Sequence, residues 1–360
     1  MRLGALVDGS PKPAAHERQG AGLERLDLED PRWRAFVAAH EDALPIHDPA
    51  WARLLADCYG FDAFALALLG GETADVLAGM PVIAVAGRRR ALVSLPFTDY
   101  CPPLLGPPLA RDELAELLTA MTQSGAIELR CALAAEPALA PVGYRHVLEL
   151  GPDPASAFAR FHHSSVQRAI RKAERERALT LRIAQDEQDM CRTFYRLHLA
   201  TRRRHGAPIQ PRRFFRLLWQ RMIEPGHGTL VLASAGSQPV AGAVFLRSRG
   251  ALLYKYGASD PAAWSLRPNH LIFWDAIQRA CLDGARSLDF GRSDLGDDGL
   301  RRFKSSWGAA EEPLVYTRFT PSGIAPAPAA GSGGLLAAAI RRAPAVVCRV
   351  TGELLYRYAA

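Results

Sequence analysis

Cysteine is scarce and unpatterned in this 360-residue chain. Cys58, Cys101, Cys131, Cys191, Cys281 and Cys348 lie far apart, with no C-x-x-C and no histidine at metal-ligand spacing. This argues against a disulfide framework and the common zinc sites, and leaves buried free thiols in a reducing compartment as the expectation. His162-His163 lacks a third ligand and suggests a helix surface rather than a metal site. No Ser/His/Asp or Cys/His arrangement for a covalent mechanism stands out. No run approaches the ~20 apolar residues that a membrane span requires. The first residues carry Asp8, Pro11, Pro13, His16 and Glu17 where a secretion signal would have an apolar core. The expected location is therefore cytoplasmic, at most peripheral to the inner face of the membrane.

What is present is an ordinary globular composition, 49% hydrophobic and 22% charged. The length accommodates about two domains of roughly 150 residues. A net charge of +7 and a pI near 9.3 suit polyanionic partners, although an arginine-rich solubility charge produces the same balance.

Residues 1–25 suggest a flexible leader. Asp30-Pro31 and Asp48-Pro49 each place a capping carboxylate before a proline suited to the first helical turn, predicting helices over 32–40 and 51–59, the second stopped by Gly60. Apolar, β-rich runs at 64–69, 76–85 and 91–95 predict strands. A proline-rich loop from 96, a helix over 111–122 and strands at 126–131 and 145–150 follow. The second half repeats this order. A basic helix over 155–177, a strand near 179–183 and helices over 187–204 and 211–223 precede three strands at 229–233, 240–246 and 251–257. A helix over 269–282, with Asn269 as cap, then delivers the chain into a strand at 287–290. The expected division is 26–150, 151–320, a low-complexity linker 321–334 and a basic amphipathic helix over 335–360, interrupted by Pro344. That helix suits either an anionic membrane surface or the protein's own flank.

Leu288 and Phe290 alternate with Ser287 and Asp289, and Gly291 ends the strand in a turn. The polar loop launched there carries Asp289, Arg292 and Asp294, then Lys304. Leu300, Phe303 and Trp307 at helical spacing predict a core-facing stripe that leaves Arg301 and Lys304 on another face. Arg168, Arg171, Lys172 and Arg175 share a helical face able to clamp a diphosphate, or to form a solvated surface with Glu174 and Glu176. Arg203, Arg204 and His205 form a second basic cluster. Period-2 alternation predicts Tyr254 and Tyr256 on one strand face, with Lys255 and Tyr256 as pocket residues near its end.

Phe290-Gly291-Arg292-Ser293, Arg302-Phe303-Lys304-Ser305-Ser306-Trp307-Gly308 and Pro268-Asn269-His270 together resemble the Fem-like branch of the GNAT acyltransferase superfamily. Pro49-Ala50-Trp51, Pro96-Phe97-Thr98-Asp99-Tyr100, Arg168-Arg171-Lys172 and 201–208 agree. The resemblance covers roughly 33–319. It implies an α/β (α+β) fold of two tandem GNAT-like domains, each a mixed, mostly antiparallel sheet flanked by helices. It further implies transfer of an acyl or aminoacyl group to an amine of a peptidoglycan, envelope or exopolysaccharide precursor, phosphorylated or lipid-linked.

On that resemblance Lys304 neutralises the developing oxyanion, Asp289 orients and Arg292 assists. Tyr256, Lys255, Arg168, Arg171, Lys172, Arg204, Asn269 and Tyr100 contact substrate. No tightly bound cofactor is expected. The donor is aminoacyl-tRNA or acyl-coenzyme A. The chain lacks the long charged helical hairpin that some members use as a tRNA arm, while the loop 264–269 lacks the glycines of a coenzyme A cradle and Pro268 removes a donor. Arg267 and the helix start remain able to hold one phosphate. The alternatives are a coenzyme A-dependent small-molecule N-acetyltransferase and a non-catalytic glycan- or nucleic-acid-binding module.

Overall fold

The computed structural model describes residues 22–70, 74–85, 91–107, 111–122, 125–133, 139–326 and 334–356. In chain order the first half is β1 (Gly22–Leu26), α1 (Pro31–Ala39), α2 (Pro49–Tyr59), β2 (Asp62–Gly70), β3 (Asp75–Val85), β4 (Ala91–Val93), β5 (Leu104–Leu105), α3 (Arg111–Met121), β6 (Ala126–Leu129) and β7 (Gly143–Glu149). The second continues with α4 (Pro154–Arg160), α5 (Arg168–Glu176), β8 (Thr180–Ile183), α6 (Tyr195–His205), α7 (Arg212–Leu218), β9 (Gly228–Ala235), β10 (Gln238–Arg247), β11 (Ala251–Ser259), α8 (Pro268–Leu282), β12 (Ser287–Ser293), α9 (Asp298–Ser305) and β13 (Ala310–Leu314). The chain closes with β14 (Thr317–Thr320), β15 (Gly323–Pro326), α10 (Gly334–Arg342) and α11 (Ala345–Leu355).

The helix signals act as the local chemistry dictates. Asp30 and Asp48 accept from the N–H groups of Arg32 and Ala50, at 2.9 Å each, with proline at the first position, and Gly60 closes α2 in the left-handed region. The basic helix expected over 155–177 is interrupted. α4 stops at Phe161, and a π turn at His163–Gln167 precedes α5. π turns also adjoin α6 and α7. Of the expected leader, Gly22–Leu26 forms an edge strand on β2, because Leu26 has an apolar slot to fill; residues 1–21 lie outside the described residues. Pro344 separates α10 from α11 as expected, and residues 327–333 and 357–360 are likewise outside the description.

Two mixed, mostly antiparallel sheets result. The first runs β1-β2-β3-β4-β6-β14-β15, with β5 beside β3, and the second β13-β7-β12-β11-β10-β9-β8. Each contains one parallel pair, β4 with β6 and β11 with β12, joined by a right-sized helical crossover through α3 or α8. A division at 150 separates β7 from α4 in sequence, yet the sheets exchange their last strands. β7 pairs with β12 and β13 in the second sheet, and β14 pairs with β6 in the first.

The halves also share a core. Trp51, Leu54 and Ile83 belong to the same buried cluster as Phe214, Phe215, Met222 and Leu230. Trp51 meets Phe214 edge to face at 6.3 Å, and its Nε1 donates to Thr98 Oγ1 at 3.1 Å. Trp51→Ala is therefore expected to cost about 3–5 kcal/mol, while the protein still melts in one transition. Calorimetry showing two separate transitions would contradict a shared core.

Candidate active site

β11 and β12 pair only over Ala251–Leu253 and Ser287–Asp289, although β11 continues to Ser259 and β12 to Ser293. Beyond that point they part, and both carry an extra residue at the same level. The β12–β7 register shifts between Asp289 and Arg292, where Gly291 adopts φ +72°. The β10–β11 register shifts so that Tyr254 and Tyr256 oppose the adjacent residues Phe245 and Val244, leaving Lys255 unpaired. Such bulges bend a strand and re-aim the side chain they release.

Lys304 caps the β12 side of the split. Its Nζ donates to the carbonyls of Gly291 and Arg292 at 2.8 Å each, and the residue is 3% exposed. The expectation that Lys304 shares an outward face with Arg301 is corrected. Three residues before Trp307, Lys304 follows that fully buried indole inward, while Arg301 pairs with Glu311 at 2.7 Å and covers the Tyr144 ring. Burial pushes the Lys304 ammonium down to about 8, opposed by the carboxylates of Asp99 and Asp289. An ammonium has three donors, so two carbonyls leave one.

Asp289 is buried and spent on geometry: Oδ1 accepts from Gly291 N–H at 2.7 Å and Oδ2 from Arg145 Nε at 2.6 Å. Arg292 is half-buried, donating to the Val142 carbonyl at 2.7 Å and pairing with Asp294. Lys255 donates to the Phe97 carbonyl at 3.0 Å and stands over the Trp51 ring; burial lowers its pKa, against the pull of Asp99 and Asp289. The expected common face for Tyr254 and Tyr256 does not form. The bulge at Lys255 inverts the strand's phase, sending Tyr254 against Phe273 in one core and Tyr256 against Phe214 and His198 in the other. Burial raises both phenols, Tyr254 to about 12.

Asp99 is the functional candidate that sequence reasoning passed over in favour of its neighbour Tyr100. It comes from the first half, on a turn where Leu95 and Phe97 hold φ of 60° and 61°, strained values for side-chain-bearing residues. A Cβ on Gly291 would stand 3.5 Å from Asp99 Oδ2. The Tyr316 hydroxyl, on the segment returning to the first sheet, donates to the Asp99 carbonyl at 2.8 Å. Asp99 is the foremost carboxylate acting on both Lys255 and Lys304. The signal available was its place in a Thr-Asp-Tyr turn at a strand end.

A cavity of about 20 Å³, room for one water, lies between the halves, lined by Thr98, Asp99, Tyr100, Arg145, Lys255 and Asp289 among others. Of the candidates Lys304, Arg292 and Tyr256, none lines this cavity, because each is turned into packing or backbone contacts. Tyr100 and Arg145, stacked with the guanidinium 4.3 Å from the ring centre, also line an open groove of about 450 Å³ with Arg111 and Arg286.

The remaining basic candidates separate. Arg168 and Lys172 line a pocket of about 400 Å³ with Ser164, Ser165, Arg267 and His270 at the start of α8. Arg171 leaves that group, lying over Phe158 and donating to Gln167. Asn269 does not cap α8. The cap is Arg267, at φ +63°, because the helix begins one residue earlier, at Pro268. Asn269 and Trp264 instead donate to Ser259 Oγ, while Arg204 donates to the Ser259 carbonyl and lies over Trp264. Among the described residues no group of acids, histidines and cysteines could hold a metal, and no helix is long and apolar enough to cross a membrane.

Residues 160–305 match the family described as acetyltransferase (GNAT) domain. No curated protein matches the sequence. The crystal structure of FemX superposes at TM-score 0.66 and 15% identity, covering 82% of this chain and 97% of FemX. L-PGS from Bacillus licheniformis follows at TM-score 0.53 and 13% identity, covering 89% and 98%. The C-terminal domain of a putative lysylphosphatidylglycerol synthetase from Agrobacterium fabrum gives 0.52 and 12%, covering 90% and 96%. At these identities the likeness is one of fold.

The chain has four lysines, Lys12, Lys172, Lys255 and Lys304, so each can be resolved by ¹³C-lysine NMR. Lys304 is expected to titrate near pH 8. Asp99→Asn removes the carboxylate that most supports its charge, so the midpoint moves to lower pH. A Lys304 midpoint near the ordinary lysine value would refute the buried setting.

Proposed function

We infer, for a chain whose second half belongs to the acetyltransferase (GNAT) domain family and which is thereby an acyltransferase, that the acyl or aminoacyl group goes to an amine of a cell-envelope or exopolysaccharide precursor. The observation that carries this reading is that Lys304 and Lys255 of the second half both feel the Asp99 carboxylate of the first, beside the β11–β12 split. The FemX and lysylphosphatidylglycerol synthetase likenesses support envelope chemistry as the setting.

In this mechanism the donor's ester or thioester carbonyl enters the split. The acceptor arrives along the inter-sheet groove, where Arg111, Arg145 and Arg286 suit its phosphates. The amine nitrogen attacks the carbonyl carbon, forming the C–N bond and placing the electron pair on oxygen. The third donor of Lys304 meets that oxyanion, its charge undiluted by water because the ammonium is buried. Asp99 accepts the amine proton. Collapse breaks the C–O or C–S bond, and the proton passes from Asp99 to the departing alcohol or thiol. Asp289 and Arg145 hold the bulge that presents Gly291, and Arg292 ties the loop to β7. The donor carrier's phosphate is assigned to Arg168, Lys172 and Arg267. That triad serves a tRNA end or coenzyme A equally. At the start of α8, His270 and Leu271 N–H already bond the Arg267 carbonyl and Pro268 has none, which leaves little of a backbone pyrophosphate cradle and favours the aminoacyl carrier.

Lys304→Met should lower kcat by about 10²–10³ while leaving substrate affinity near that of the parent. Where the ammonium is required, the parent's rate falls as pH rises through about 8. Unchanged kcat in Lys304→Met would remove Lys304 from the mechanism. Charged tRNA should raise the melting temperature more than acetyl-coenzyme A does; the reverse order would identify the coenzyme A reading as correct.

A further inference from the structure

α10 and α11 both rest on α6. Cys348 is fully buried, and Gly352 approaches Ile209 so closely that a Cβ there would clash with its carbonyl. One side of α11 is therefore pressed onto the protein. The opposite side carries Val346, Val347, Val350 and Leu354, which are 48%, 40%, 45% and 63% exposed. At about 100° per residue these four fill one continuous arc, uninterrupted by a polar residue. They are half of the eight large apolar side chains exposed among the described residues, gathered on one helix of eleven. Scattered exposed aliphatics are ordinary; a stripe is not.

The surroundings of the stripe are cationic. Arg341 and Arg342 are exposed at the corner before Pro344. Arg212, whose backbone N–H donates to Glu353, and Arg349 both act on Tyr195 beside the helix, whereas Arg202 and Arg203 lie by Cys348 on its protein-facing side. Among the described residues the acids near this region include Glu353, which accepts from Arg212 N–H, Asp57, paired with Arg221, Asp99, which acts on Tyr356, and Glu187, which acts on Cys191 beside Arg212. We propose that α11 and its arginine rim dock the protein onto an anionic phospholipid bilayer, the aliphatic side chains entering the headgroup boundary and the guanidinium groups meeting lipid phosphates. A second copy of the chain fits less well, since a two-fold contact through the stripe would set one arginine rim against the other. An eleven-residue helix is far too short to span, so the contact is interfacial. It does not depend on which amine is acylated.

The test is co-sedimentation of the full chain with phosphatidylcholine vesicles, with and without phosphatidylglycerol. Partitioning should be at least about tenfold stronger on the anionic vesicles and should weaken as salt rises. The combined variant Val346→Ser, Val350→Ser and Leu354→Ser should lose about tenfold or more of that binding with an unchanged melting temperature, because the three side chains touch little of the protein. In Leu354→Trp, the indole fluorescence should shift to the blue on adding anionic vesicles. Absence of vesicle binding, or equal binding by the triple variant, overturns the proposal. So does a lipid-free dimer that the triple variant dissociates, which would make the stripe a contact between copies. Turnover of a soluble acceptor by the triple variant should match the parent, which keeps this outcome separate from the catalytic reading.

Discussion

Two hydrogen bonds from the Lys304 ammonium to the carbonyls of Gly291 and Arg292 hold open the place where the second sheet comes apart. Parallel strands that separate leave carbonyls without ladder partners, and a buried carbonyl without a partner is costly. Here a cation supplies the missing donors, so the split persists without closing by register. The same ammonium is desolvated by that role, and its proton is loosened. One side chain thus both maintains the split and stands ready, chemically, within it.

The split is held from outside as well as from within. Arg145 reaches it from β7, a strand contributed by the first half, and Tyr316 and the Leu95–Tyr100 turn approach from the other sheet. Exchanging the last strand of each half, with bonds such as Lys255 to the Phe97 carbonyl and Tyr316 to the Asp99 carbonyl, ties the junction to both sheets. The common core around Trp51 and Phe214 removes the freedom that two separately folded halves would have. Asp99 can therefore be set against Lys304 and Lys255 by rigid elements rather than by a flexible arm.

Charge is distributed unevenly by chemistry as well as by place. Arginines line the larger openings and flank α11, where a permanently charged, planar group is the kind that suits phosphate. Two of the four lysines sit in the split, where a group able to titrate near neutrality is useful. Arginine in those two positions would hold its proton throughout.

Gly291, read as ending its strand in a turn, is instead a bulge within β12, which runs on to Ser293; the Asp-Pro helix starts, the Gly60 stop, the alternating strands and the repeated order of elements were legible from the chain alone. All of these are decided by residues within a few positions of one another. The inward course of Lys304, the bulge that turns Tyr254 and Tyr256 apart, the strand exchange and the arrival of Asp99 were not legible. Each is decided by a partner far away in sequence, as Arg145 is from Asp289 across 144 residues. Short-range periodicity thus determined which elements exist and on which of them the candidate side chains lie. Only the packing of two interlocked sheets decided which of those residues meet, because an unpaired carbonyl or a buried charge acquires its cost, and so its partner, once water has been excluded.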